Sequence, residues 1–128
     1  MKTVVVEVSG EPAPKGSTAM GVTKTGRTYI RPASPKTKAW QKLVEAACCD
    51  LTPLQPPYEV NIVFRFTSPQ KPSRKYPSRN DIDKLARTVC DGLVNGEIIE
   101  DDRHIIRLSA QKEYGTEGAV ITVRSLSD

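Results

Sequence analysis

The sequence predicts an α+β fold, a single small domain in which two main helices pack on a mixed or mostly antiparallel sheet. Three observations predict it. Several short segments alternate apolar and polar residues at period two. Two other segments carry apolar stripes at helical spacing. The order along the chain is strand, a short further strand or hairpin, helix, strand, helix, strand, strand. A length of 128 residues fits one domain, here residues 1–128, and leaves no room for two ordinary ones.

Residues 3–9 alternate and are rich in Val, which reads as a strand. A loop follows, marked by Pro12, Pro14, Gly16, Gly21 and Gly26, with a short hairpin arm that ends at residues 28–30. Ser34-Pro35 is a helix start, with Ser as N-cap and Pro at the first helical position. Trp40, Leu43, Val44 and Ala47 then form one apolar stripe on a helix that runs to about Cys49. Pro53, Pro56 and Pro57 end it. Residues 59–67 are the clearest strand, with Val60, Ile62, Phe64 and Phe66 on one face and Asn61, Arg65 and Thr67 on the other. Residues 68–79 hold three prolines and four cations, cannot bury a core face and read as a mobile loop. The second helix starts at Asn80 or Asp81 and buries Ile82, Leu85, Ala86, Val89 and Leu93. Asn95-Gly96 stops it. Residues 105–112 and 119–123 read as two strands of a hairpin, joined through Gly115-Thr116-Glu117-Gly118.

Apolar residues make up 38% of the chain and aromatics 5%, so some segments add little to the core. Cys48, Cys49 and Cys90 are odd in number and show no metal-ligand spacing. They read as small core-facing residues in a reducing cytosol, which places the chain in the cytoplasm. The first apolar run, residues 4–6, is too short for a signal peptide or a membrane span, so no membrane partner is expected.

Net charge is only +4, with a pI near 9.1, but the charge is unevenly placed. Residues 12–44 hold seven cations and no acid, and residues 60–80 hold five and no acid. Seven of the fifteen acids then fall within residues 81–102. A basic surface around an acidic centre suits a polyanionic partner plus a divalent metal. The blander reading is two solvated basic loops and an acidic helix. On the first reading two basic loops, about residues 10–34 and 68–79, contact the phosphates of such a partner without reading sequence. The candidate contacts are Lys15, Arg27 and Arg31 of the first loop, Lys36 and Lys38 at the start of the first helix, Lys71, Arg74, Lys75 and Arg79 of the second loop, and Lys84 at the start of the second helix. Tyr76 lies in the second loop and could stack on an unpaired base.

Cutting a phosphodiester calls for a metal that makes hydroxide and neutralises charge on the transition state. Magnesium is hard and octahedral and takes oxygen ligands, so Asp and Glu are the residues to seek. The chain offers Asp81-Ile82-Asp83 and, further on, Asp101-Asp102. Within one helix, residues i and i+2 point about 200° apart, so Asp81 and Asp83 cannot both face one ion if both are helical. They can if Asp81 is an N-cap with extended backbone, at a helix end that also favours anions. Asp102 precedes a strand and can deliver a third carboxylate if that strand lies beside the helix start. Adjacent strand residues point oppositely, so Asp101 is not expected to be its equivalent. Asp83, Arg87 and Asp91 share the helix's polar side. The same residues read equally well as a cap and ordinary ion pairs, each worth about 0.3–0.5 kcal/mol. His104, the only histidine, could relay a proton beside Asp102 or be an ordinary half-buried residue. Trp40 reads as core.

The stretch Asn80-Asp81-Ile82-Asp83-Lys84-Leu85-Ala86-Arg87-Thr88-Val89-Cys90-Asp91-Gly92-Leu93, followed by Glu100-Asp101-Asp102-Arg103-His104-Ile105, resembles the RusA family of Holliday-junction resolvases. The early Gly10 to Gly16 segment and Pro35-Lys36-Thr37-Lys38-Ala39-Trp40 are similar to phage-type members. The resemblance implies a homodimeric, magnesium-dependent endonuclease, with manganese able to substitute, that makes paired nicks in four-way DNA junctions. It matches Asp81, Asp83 and Asp102 to the family's metal-binding aspartates. Arg87 stands where the family usually has a catalytic lysine, and Lys84 where it usually has asparagine. Arg stays protonated, so Arg87 could hold a phosphate oxygen but not act as a general acid. Lys84 is the alternative cation. Two other readings remain open at this stage: a nuclease for flaps or forks, and a non-catalytic nucleic-acid-binding module.

Overall fold

Six strands and two helices follow one another in the computed structural model, which describes residues 2–16, 20–22, 24–30 and 34–127. They are β1 (Thr3–Ser9), β2 (Met20–Val22), β3 (Thr28–Ile30), α1 (Pro35–Ala47), β4 (Tyr58–Phe66), α2 (Ile82–Asn95), β5 (Ile105–Tyr114) and β6 (Gly118–Ser125), with a 3-10 turn at Asp102–His104 just before β5. The expected hairpin arm is present as the antiparallel pair β2–β3, a small sheet of its own. Residues 68–79 belong to no helix or strand. No described helix is long and apolar enough to cross a membrane.

The main sheet is mixed, in the order β1-β6-β4-β5. β6 runs antiparallel to β1 and to β4, and β5 runs parallel to β4. This corrects the expected hairpin of the last two strands. β5 and β6 are not neighbours, because β4 lies between them. The connection through residues 115–117 passes over the end of β4, where the Gly115 amide donates to the Phe66 carbonyl at 3.0 Å. Burial explains the order. β4 buries Tyr58, Glu59, Val60, Ile62 and Phe64 and takes the interior position, whereas β5 has no fully buried residue and sits at the edge. Parallel neighbours need a long crossover, and α2 supplies it.

Both helices contribute to one core with the strands, through Trp40 and Val44 of α1 and Leu85, Val89 and Leu93 of α2. They meet closely at Gly92, where an added Cβ would come within 2.6 Å of the Val44 Cγ1. Three core expectations are corrected. Leu43 and Ile82 are 43% and 38% exposed, because each lies at the margin of its helix's buried stripe. On α1 the buried place goes instead to Thr37, whose hydroxyl donates to the Pro14 carbonyl at 2.7 Å and so remains satisfied. Cys48 and Cys90 are buried as expected, but Cys49, beyond the end of α1, is exposed.

Candidate metal centre and nucleic-acid interface

The site begins where the chain enters α2. Asn80 has a left-handed backbone, φ 69°, which Asn tolerates better than most residues. Asp81 follows as N-cap with an extended backbone, φ −75° and ψ 132°. That is the geometry that frees its side chain from the helical spacing of Asp83. The Asp81 carboxylate makes no capping hydrogen bond, and its Oδ2 lies 3.4 Å from the Lys84 Nζ. Asp83 sits in the first turn, exposed, where the helix dipole favours a negative charge.

Asp102 arrives from the far end of α2. Gly96 ends the helix, its amide donating to the Gly92 carbonyl at 2.8 Å. The chain then returns along the helix to β5. The residues around Asp102 form a 3-10 turn rather than the start of a strand. Asp101 caps the turn, its Oδ1 accepting from the Arg103 amide at 3.0 Å. That bond, helped by a hydrogen bond with Asp102 and the charges of Arg103 and His104, holds the Asp101 carboxyl below its ordinary value. Asp101 and Asp102 are therefore not equivalent: one is tied into the turn and the other is presented by it.

The outcome is that Asp83 and Asp102 line one open hollow of about 300 Å3, together with Arg87, Ala86, Cys90, Ile105 and Leu108. Residues about twenty positions apart in the chain meet because α2 crosses from β4 to β5. No ion pair among the described residues involves Asp83, Arg87 or Asp102. Asp81 does not line this hollow, and among the described residues no three His, Cys, Asp or Glu side chains form a group able to hold an ion. Two carboxylates facing one open, wet space still suit magnesium, which commonly binds through one or two carboxylates and keeps several waters. The Cys90 thiol also lines the hollow, but a soft sulfur is a poor match for a hard cation such as magnesium. Burial, with the negative charges of Asp102 and Asp91, pushes the thiol up to about 11, so it stays protonated at neutral pH.

A second hollow, of about 370 Å3, opens on the other side of Asp102 and is lined by Asp101, Asp91, Lys15, Gln41 and Asn95. Here Lys15 and Asp91 pair at 2.6 Å, and the Lys15 amide donates to the Lys84 carbonyl at 3.1 Å. A larger hollow, of about 490 Å3, lies under residues 67–80 against Phe66 and Tyr114 and contains none of the three aspartates.

The basic residues divide by partner. Lys15, Lys36 and Lys84 are each paired with an acid, Asp91, Glu11 and Asp81 respectively. Lys38, Lys71, Arg74, Lys75 and Arg79 are exposed and in no ion pair among the described residues. Arg27 is exposed, and Arg31 lies outside the described residues. Tyr76 is 56% exposed among the cations of its loop, as a stacking residue must be. Trp40 is fully in the core, and His104 is half-buried at the end of the 3-10 turn. Sequence reasoning missed Lys112, whose ammonium reaches the chain just before Asp81. Strand alternation marks Lys112 only as one more residue of β5, so no local signal could have found it.

Against known proteins, the family model described as Endodeoxyribonuclease RusA matches residues 9–124. No curated protein matches the chain.

Proposed function

From the premise that this chain belongs to the RusA endodeoxyribonuclease family, whose members resolve Holliday junctions, we propose that it cuts four-way DNA junctions by paired nicks and depends on magnesium. The observation that carries the reading is the convergence of Asp83, Asp102 and Arg87 on one open hollow. Asp83 and Asp102 would hold the ion, with Asp81 joining them by a change of side-chain rotamer that releases Lys84. Magnesium, or manganese in its place, supplies charge neutralisation at the phosphate and lowers the pKa of a bound water. The protein's own groups orient the phosphate. Arg87, always charged and bidentate, suits a non-bridging phosphate oxygen. Its place in the hollow beside Asp83 and Asp102 favours it over Lys84, which does not line that hollow.

The exposed cations Lys38, Lys71, Arg74, Lys75 and Arg79 would track the backbone of the junction arms, so binding should weaken steeply with salt. Lys15 and Lys36 would contribute less, being neutralised by their partners. A homodimer would supply one site for each of two nicks, in the cytoplasm of a bacterial or phage-infected cell.

The test is a cleavage gel with a synthetic four-way junction, a fork and a flap, with and without magnesium. We expect magnesium-dependent paired cuts in the junction. Asp83→Asn should stop cutting but keep junction binding, because it removes a ligand charge and leaves the basic surface. Cutting by Asp83→Asn at the wild-type rate would end the metal-site assignment. Preferential cutting of the fork or flap would change the substrate and leave the site in place.

A further inference from the structure

We propose that Lys112, on β5, is a positioning residue for this carboxylate site, fixing the direction in which Asp81 leaves the basic loop. The inference rests on the reading of Asp81, Asp83 and Asp102 as the metal-holding group.

Lys112 pairs with Phe64 across the parallel β4–β5 ladder. By strand alternation it shares a face of β5 with Leu108, which lines the hollow with Asp83 and Asp102. Its side chain is directed to the junction of loop and helix. The Nζ donates to the Asn80 carbonyl at 2.8 Å and to the Arg79 carbonyl at 3.4 Å. These carbonyls belong to the two residues just before Asp81. An ammonium has three donors, so one cation can hold both.

The need for such a clamp is visible in the backbone. Asn80 is left-handed, a conformation that costs free energy in any L residue and persists only where the surroundings enforce it. Asp81 then turns extended, and its carbonyl accepts the first helical bond, from the Leu85 amide at 3.0 Å. The Asp81 side chain makes no capping bond, and its one local contact is an exposed ion pair with Lys84 at 3.4 Å, a weak hold on this corner. Lys112 supplies a fixed point from the sheet. It couples the strand that follows Asp102 to the residue that precedes Asp81, and so ties the two ends of the carboxylate set to each other.

Other roles are distinguishable. A phosphate-contacting Lys112 would set DNA affinity without metal. A purely structural Lys112 would set thermal stability without changing the magnesium requirement. The experiment uses the full chain with Lys112→Met and Lys112→Arg. It reads the magnesium concentration for half-maximal junction cleavage, the magnesium-induced rise in Tm without DNA, and junction affinity in EDTA. Residues that orient metal ligands through hydrogen bonds typically change metal affinity or activity by about 10–100-fold when lost. We therefore expect Lys112→Met to need about tenfold more magnesium, to show a smaller magnesium-induced rise in Tm, and to bind junctions in EDTA as the wild type does. Lys112→Arg should recover most of the loss, because a guanidinium can reach the same carbonyls.

A wild-type magnesium requirement in Lys112→Met overturns the inference, as does a loss of junction affinity in EDTA that accounts for the loss of cutting. If Lys112→Met does not fold, Asn80 decides. Asn80→Gly accepts the left-handed backbone and should keep the wild-type requirement, while Asn80→Val resists it and should raise the requirement. Equal requirements in both overturn the inference. A wild type that cuts without magnesium sinks the site reading and this inference together. A magnesium-dependent wild type with an unmoved Lys112→Met sinks the inference alone.

Discussion

At the start of α1, Ser34 accepts from the Thr37 amide at 3.3 Å, its hydroxyl lies 2.9 Å from the Thr37 hydroxyl, and Pro35 opens the helix with a preset φ. At the start of α2, Asp81 has a comparable extended backbone and an equally good capping side chain, yet makes no capping bond. The first helix satisfies its own end. The second leaves its cap unmade, is preceded by a left-handed Asn80, and is held from outside by Lys112. A local rule is broken at the second helix start, and a contact from the sheet stands in its place. Two helices of similar length, packed on each other, thus differ: α1 caps its own start, and α2 presents Asp83 and Arg87 to an open hollow.

The sharpest way to break that comparison is to give α2 the cap of α1. Asp81→Ser can accept from the N-terminal amides, so it should stabilise the helix by about 1 kcal/mol, read as a higher Tm. On the proposed metal site it also removes a ligand, so cleavage should fall by about 100-fold, the order found when metal-site groups are lost. A gain in stability without loss of cutting would remove Asp81 from the site.

Next in size is the contact that lets the two helices share a core. Gly92→Ala places a Cβ against Val44 and should destabilise the fold by about 1–3 kcal/mol, as overpacking does, measured by urea denaturation. Junction affinity per folded molecule should not change.

Removing the cap that is made should cost less. Ser34→Ala is expected to lower stability by about 1 kcal/mol, with the magnesium requirement unmoved, since α1 carries none of the three aspartates. A shifted magnesium requirement would mean that the two helix starts are not as separate as the geometry indicates.

The smallest effect concerns the turn that presents Asp102. The Asp101 carboxyl sits below its ordinary value in the folded state, so its contribution is complete above the unfolded value, about 3.9, and is lost as pH falls through the lowered folded one. The Tm difference between wild type and Asp101→Ala should be constant near neutrality and narrow in acid below about pH 4. A difference that widens in acid would contradict the capping role.

Much of this is legible in the sequence because it is local. Ser34-Pro35, the stripes of Trp40 with Val44 and of Leu85 with Val89 and Leu93, the alternation through Val60, Ile62 and Phe64, and the extended cap at Asp81 all follow from residues within a few positions of one another. What stays illegible is comparative. Whether Leu43 and Ile82 or Thr37 lies inside depends on where the opposing surface ends. Whether Lys15 faces DNA or Asp91 depends on a residue 76 positions away.

The sequence by itself determined the helices, the main strands, the acidic residues and their placement at a helix start and just before a strand, because backbone preference and side-chain period act over short range. Only the tertiary structure decided that β4 lies between β5 and β6, that Asp102 shares a hollow with Asp83 and Arg87, and that Lys112 reaches the residues before Asp81. The reason is competition. The most apolar strand takes the interior of the sheet at the expense of a short hairpin, and α2, bridging the resulting parallel pair, carries one aspartate to the edge where the next strand brings the other.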